Sequence, residues 1–241
     1  MPMPTSTDAT TATPLRDAFP EGSQLQQITD DFDARGIKHW LNSGTLLGLV
    51  RDNRLIRNDP DIDVGAWWED RHRILETVAG WKTRKIQTWQ LGDSIYKIKV
   101  FPEDRPHARM IDIDLFRKHG EYGWCPQFAP RGLFERNSSA RRIVRHSCRK
   151  IATFFLDRNG HHLSNHLGLR LVHDVYTWWA PLRFLDSPEL RTFEYGEFRV
   201  PQDPEIYLEY RYGDWREPDD GWSFLDDDRG LIHEHPRNLV A

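Results

Sequence analysis

Two cysteines, Cys125 and Cys148, are too few for the disulfide framework that braces small secreted domains, and neither sits in a CxxC or other metal-type spacing. A reducing, cytoplasmic setting is the expectation. Long apolar runs are missing as well. The mean hydropathy is −0.70, and stretches such as Val175–Leu182 fall far short of the roughly 18 apolar residues of a spanning helix. No basic segment followed by an apolar run opens the chain, so no secretory signal is expected. Positive charge is not in excess either. Thirty-three Lys plus Arg against 37 Asp plus Glu give a net charge of −4, which argues against nucleic acid as the main partner. Tryptophan is plentiful: ten residues, each large enough to fill a core and flat enough to stack on a sugar or base.

The chain's 241 residues allow one elaborated domain or two small ones, and no linker long or polar enough to separate two is seen. Residues 1–20 are rich in Thr, Pro, Ser and Ala with no apolar period, which predicts a flexible tail. Ser23-x-x-Gln26 has the form of a capping box, and Leu25, Ile28 and Phe32 follow at helical spacing until Gly36. Ile37–Leu41 reads as a strand, Asn42-Ser43-Gly44-Thr45 as a tight turn, and Leu46 to Val50 as the apolar face of a second helix. A strand over Asp61–Ala66, a helix over Glu69–Ala79 and three β-rich runs at Arg84–Gln90, Ser94–Phe101 and Arg109–Phe116 follow. Beyond Arg131, Arg136 to Asp157 and Leu163 to Trp179 show helical periodicity. Phe193–Phe198 predicts a hairpin, and Asp203 or Pro204 opens a helix through Tyr210 that Gly213 stops. The expected fold class is α+β: a mixed sheet with flanking helices, plus a helical C-terminal half.

Two strands repeat one chemical pattern. Asp61-Ile62-Asp63 puts two carboxylates on one strand face with Ile62 and Val64 on the other, and Asp112-Ile113-Asp114 does the same with Ile111, Ile113 and Leu115 buried. Close carboxylates repel unless a cation or proton lies between them. If the two strands are neighbours, three or four acids converge in the manner that holds a hard divalent ion beside phosphate oxygens. Each DxD alone is equally what surface alternation produces. Gly44-Thr45 lies between a strand and a helix, where backbone N–H groups and the Thr hydroxyl can cradle phosphate or simply cap the helix. Arg51, further along that helix, can reach the same phosphates. Lys97 and Lys99 share one strand face, suited to phosphates or to solvent.

Trp40 to Arg51, Ile56 and Asp59-Pro60-Asp61-Ile62-Asp63-Val64 resemble the signature of the LicD/fukutin-related family. Ile113-Asp114-Leu115-Phe116 is similar to that family's second acidic strand, and Val200-Pro201 through Tyr207-Leu208 to Tyr212-Gly213-Asp214-Trp215 with Pro218 to its C-terminal element. The resemblance implies a nucleotidyltransferase-type fold. The chain is expected to form a single catalytic domain over 21–241, with a nucleotidyltransferase-like core at 21–125, a helical acceptor-side section at 126–200 that carries no motif of that family, and a closing element at 201–241. The implied activity is transfer of a phosphorylated alcohol (phosphocholine, ribitol phosphate or glycerol phosphate) from a CDP conjugate to a sugar hydroxyl of a glycan or glycolipid, releasing CMP. Mg2+ or Mn2+ would sit on Asp61, Asp63 and Asp114, with Asp112 and Asp114 sharing the roles of ligand and base and Gly44, Thr45, Arg51, Lys97 and Lys99 binding substrate. Pro60 interrupts the family's acidic run and Asn58 replaces its aromatic residue, so Asp59 carries less weight than Asp61 and Asp63.

The rest has plainer readings. Arg141, Arg145 and Arg149 with Arg142 and Lys150 form a basic helical stripe, either a solvated face or a contact for an anionic acceptor or the inner membrane surface. His161, His162, His166 and His173 include i, i+4 spacing without the HExxH or cysteine context of a zinc site. Two other functions use the same features: a nucleotidyltransferase that moves NMP from an NTP, and a non-catalytic glycan-binding module.

Overall fold

The computed structural model describes residues 21–91, 94–103, 108–130, 173–219 and 221–233. The expected tail at 1–20, the basic stripe, the helix over Arg136–Asp157, and His161, His162 and His166 lie outside them.

Helix α1 (Ser23–Ala34) buries Leu25, Ile28 and Phe32, the face its spacing predicts. The expected capping box does not form. Gly22, at φ 89°, takes the N-cap position, so Ser23 already lies inside the helix, and the Gln26 amide donates to Asp30 instead. Strand β1 (His39–Leu41) leads into α2 (Ser43–Asp52), and β2 (Asp61–Trp67) continues through a 3-10 turn at Trp68–Asp70 into α3 (Arg71–Ala79). Next come β3 (Thr83–Leu91), β4 (Ser94–Pro102), β5 (Met110–His119) and β6 (Tyr122–Pro130). The later part holds β7 (His173–Pro181), α4 (Leu182–Leu185), the hairpin β8 (Glu189–Phe193) and β9 (Gly196–Val200), α5 (Pro204–Tyr212) and β10 (Leu231–Ile232).

Eight strands form one mixed sheet. Its main path is β1-β2-β5-β6-β7-β10, and β4 joins β5 and carries β3. The β2–β5 pair is parallel and the other pairs are antiparallel. Strand β5 therefore has three partners: β2 along one edge, β4 along the first part of the other, and β6 at its end. Ile62, Val64, Ile98, Ile111, Ile113 and Leu115 alternate into one core, as the period-2 pattern requires. Tryptophan fills much of that core: Trp40 meets Trp67 and Phe116, and Phe116 meets Trp178, with ring centroids 5.3–5.8 Å apart. Trp40 stands opposite Gly65 in the β1–β2 register, and a Cβ at position 65 would overlap its indole ring.

Of the expected helical C-terminal half, the part that lies within the described residues, from His173 on, requires correction. The end of the run to Trp179 that reads as helical lies in strand β7 (His173–Pro181), paired along its whole length with β6. Its run Val175-Tyr176-Thr177-Trp178-Trp179 is β-branched and aromatic, and a near-continuous apolar run does not by itself distinguish a buried strand from a buried helix. Pairing with β6 and β10 decides the matter. Among the described residues after 130, the helices are α4 and α5, of four and nine residues. No helix among the described residues is long and apolar enough to cross a membrane.

Candidate active site

The site begins where β1 hands over to α2. Asn42, in extended conformation, donates its N–H to the Asp63 carbonyl, continuing the β1–β2 ladder by one bond. Ser43 then adopts a left-handed backbone at φ 46°, which reverses the chain into α2. The Gly44 N–H donates to Asp63 Oδ2 at 3.1 Å, and the Asp63 N–H donates to Thr45 Oγ1 at 2.8 Å. A Cβ at position 44 would overlap Asp59 Oδ2, so any larger residue there would displace the Asp59 carboxylate. The turn is thus stitched to β2 and lies against its acids.

Asp59, Asp61 and Asp63 form a half-buried triad in which one carboxylate oxygen of each lies within 4.8 Å of the others. Asp59, weighted below the other two in sequence, belongs to this group. Burial, followed by the nearby Asp61, Asp112 and Asp59 charges, pushes the Asp63 carboxyl well above the usual range. Burial and a hydrogen bond shared with Asp61 push Asp59 up to about 7. Three carboxylates this close, two of them pushed above their ordinary range by burial and by neighbouring carboxylates, form a donor set suited to a hard divalent ion.

The second acidic pair is differently placed. The parallel register sets Asp112 beside Asp63 and Asp114 beside Gly65, while β4 sets Lys97 opposite Asp114 and Lys99 opposite Asp112. Lys97 Nζ lies 3.1 Å from Asp112 Oδ2 and 2.9 Å from Asp114 Oδ1, and Lys99 Nζ lies 2.8 Å from Asp112 Oδ2. Burial alone would raise the Asp112 carboxyl, but the two ammonium groups outweigh it and hold the group below the usual range. Asp112 Oδ1 is buried without a hydrogen-bond partner among the described residues. Lys97 and Lys99 therefore serve the β5 acids in this structure, and Asp114 lies with Lys97 rather than in the triad.

These groups floor a cleft of about 730 Å³. Arg51 lies at its side with Nε and Nη2 on Asp52 Oδ2, at 3.1 and 3.0 Å. Trp89 of β3 and Phe128 of β6 form one aromatic wall, with rings 5.0 Å apart, and Tyr212, Trp215, Trp222 and Phe224 also line the cleft. The segment after α5 also brings Asp214, Glu217 and Asp219 to the rim. Sequence reading missed Arg211, a buried member of the lining. A signal was available, because Arg211 follows the buried Tyr207 and Leu208 by four and three residues, which puts it on the inward face of α5.

Residues 36–124 match the model described as LicD/FKTN/FKRP, nucleotidyltransferase domain. Over these residues the chain is similar to that family. The matched segment spans β1 to β5 and the start of β6, and so contains the turn and both acidic pairs. A curated relative, the uncharacterized protein RT0683 of Rickettsia typhi (strain ATCC VR-144 / Wilmington), is 33% identical over 96 residues, 39% of this chain and 28% of that protein. The chain thus matches little more than a quarter of that relative's length. Among solved structures, the antibiotic-resistance factor ANT(2'')-Ia aligns at 16% identity and TM-score 0.34, covering 62% of this chain and 80% of the other. The lincomycin-bound lincosamide adenylyltransferase LnuA aligns at 14% identity and TM-score 0.34, covering 61% and 92%. The likeness to LicD rests on the family match.

Proposed function

We propose that the protein transfers a phosphorylated small alcohol from a CDP conjugate to a hydroxyl of a glycan or glycolipid, releasing CMP, with residues 21–241 acting as one catalytic unit. The observation that carries this reading is the acid triad held against the Gly44 turn inside the LicD-like segment. Asp59, Asp61 and Asp63 would hold Mg2+ or Mn2+. When bound, such an ion supplies positive charge beside phosphate oxygens and favours departure of a phosphate leaving group. The chain's own residues account for the rest. The acceptor hydroxyl oxygen forms a bond to the phosphorus that bears the alcohol, the bond from that phosphorus to the bridging oxygen breaks, and CMP leaves with the electron pair. The hydroxyl proton would pass to a carboxylate that lines the cleft, with Asp112 the candidate on β5 because Lys97 and Lys99 hold its Oδ2 and its Oδ1 has no hydrogen-bond partner among the described residues. Gly44 and Arg51 line the cleft where the donor phosphates would lie, whereas Thr45 is buried behind the turn with its hydroxyl on the Asp63 N–H, and the Trp89–Phe128 wall offers a stacking face for a base or sugar.

Incubating the full chain with CDP-choline, CDP-ribitol and CDP-glycerol, a glycan acceptor and Mg2+ or Mn2+ tests the reading. Acceptor-dependent release of CMP from one donor is expected. Pyrophosphate release from an NTP would replace this function with nucleotidyl transfer, and glycan binding without turnover of any donor would leave a binding module.

A further inference from the structure

The acid triad depends on a turn whose central residue is in an unfavourable conformation, and a single buried side chain holds that residue. Ser43 is not glycine, yet its φ is 46°, a left-handed conformation that is unfavourable for a residue with a Cβ. It immediately precedes Gly44, whose N–H is aimed at Asp63 Oδ2. A different backbone at Ser43 would rotate that N–H away.

Arg211 reaches this turn from α5. Its Nη1 donates to Ser43 Oγ at 2.7 Å and to Asn42 Oδ1 at 3.4 Å, and Asn42 Oδ1 also accepts from the Tyr207 hydroxyl at 2.7 Å. Nε donates to Asp228 Oδ2 at 2.7 Å. Asp228 is itself fixed, since its other oxygen accepts from Trp178 Nε1 at 2.8 Å and from the Gly230 N–H at 3.0 Å. The Arg211 side chain is 6% exposed and that of Asp228 is fully buried. The planar guanidinium thus spans two fixed points, the carboxylate that anchors the C-terminal wall and the hydroxyl of the strained turn. A lysine ammonium on a flexible stem lacks the fork that does both.

We infer that Arg211 is a positioning residue: by bonding Ser43 it holds the left-handed turn that directs the Gly44 N–H onto Asp63, and so sets the geometry of the acidic triad. The inference rests on the reading of that triad as a cation site, and it ties the ligand set to the segment that closes the cleft.

The test uses the full chain and four variants, Arg211→Lys, Ser43→Ala, Ser43→Gly and Ser43→Gly with Arg211→Lys. Ser43→Ala removes the hydroxyl and keeps the strain, whereas Ser43→Gly removes both, because glycine adopts positive φ freely. Two readouts are taken alongside Tm: Mn2+ affinity by titration calorimetry, and exchange protection of the Gly44 amide in metal-free protein. Arg211→Lys and Ser43→Ala are each expected to weaken Mn2+ binding about tenfold, the scale of losing a group that orients a ligand, and to lower Gly44 protection. Ser43→Gly should stay within about threefold of the parent, and adding Arg211→Lys to it should change neither readout further. Parent-like Gly44 protection in Arg211→Lys and Ser43→Ala, or an equal loss from Arg211→Lys in the Ser43→Gly background, would overturn the inference. Should Arg211→Lys not fold, Ser43→Ala decides alone, because it leaves the Arg211–Asp228 pair intact. If the parent protein takes up no Mn2+, the metal reading fails, and amide exchange still decides the role of Arg211.

Discussion

The two Asp-x-Asp strands are written alike and sit side by side, yet their surroundings are opposite. Asp112 and Asp114 on β5 are held by Lys97 and Lys99, so that bank carries its counter-ions in the chain. Asp61 and Asp63 on β2 gather with Asp59, and Asp59 and Asp63 resist ionisation. A carboxylate motif therefore acquires its chemistry from the strand beside it. With lysines across the ladder it is a closed ion-pair cluster, and with a third acid it is an open donor set.

Removing one acid from the open bank should have the largest effect. Asp63→Asn is expected to lower Mn2+ affinity and turnover on the order of a hundredfold or more, while Tm of the metal-free protein holds or rises, because like-charge repulsion is relieved. Parallel Mn2+ titration and thermal melts check both halves. The closed bank should respond in the opposite sense. Lys97→Met leaves Asp112 and Asp114 buried short of a partner and should destabilise the protein by about 3–5 kcal/mol in urea unfolding. Adding Asp114→Asn should recover part of that loss. Arg51 belongs to neither bank. Arg51→Lys should weaken CDP-donor binding about tenfold through loss of the planar fork, with Mn2+ affinity unchanged and stability shifted by only about 0–1 kcal/mol.

Titration of the metal-free protein gives the smallest signal and separates the banks by sign. Asp63 and Asp59 have raised values, so between about pH 4 and about 7 the folded chain keeps protons that the unfolded chain releases. Their contribution to stability is greatest at the acid end of that window and falls as the pH rises through it. Asp112 is lowered, so its contribution is present above about pH 4 and disappears as the pH falls below the usual carboxylate range. Urea midpoints of chelator-treated protein from pH 4.5 to 7.5 should decline, and Asp63→Asn should flatten the decline.

The sequence displayed the alternation of β2 and β5 openly, because Ile62 and Val64, and Ile111, Ile113 and Leu115, share the period that buries one face. It also displayed the Gly44 turn. Asp59 was harder to read. Pro60 breaks the acidic run, and only the missing Cβ of Gly44, fifteen residues earlier in the chain, makes room for its carboxylate. Lys97 and Lys99 have the same spacing as Asp112 and Asp114, but spacing does not fix register, and register decides whether the cations face substrate or the acids. Strand β6 was hidden because Gly123, Pro126 and Pro130 punctuate it. Its partner β7 lies beyond residue 172, and pairing over that distance leaves no local trace.

The three-sided pairing of β5 also bears on the order in which the chain folds. The β3–β4 hairpin and its addition to β5 close short loops, whereas the parallel β2–β5 pair must wait until β3 and β4 have been looped out between them. Asp63 reaches the side of Asp112 only in that late step. In pulse-labelled refolding, the amides of β3, β4 and β5 should gain protection before those of β2. A nascent chain would then pass through a stage with its lysine-paired acids in place and its cation-binding acids still scattered, so that divalent ions would act on the last step of folding and leave the early steps untouched.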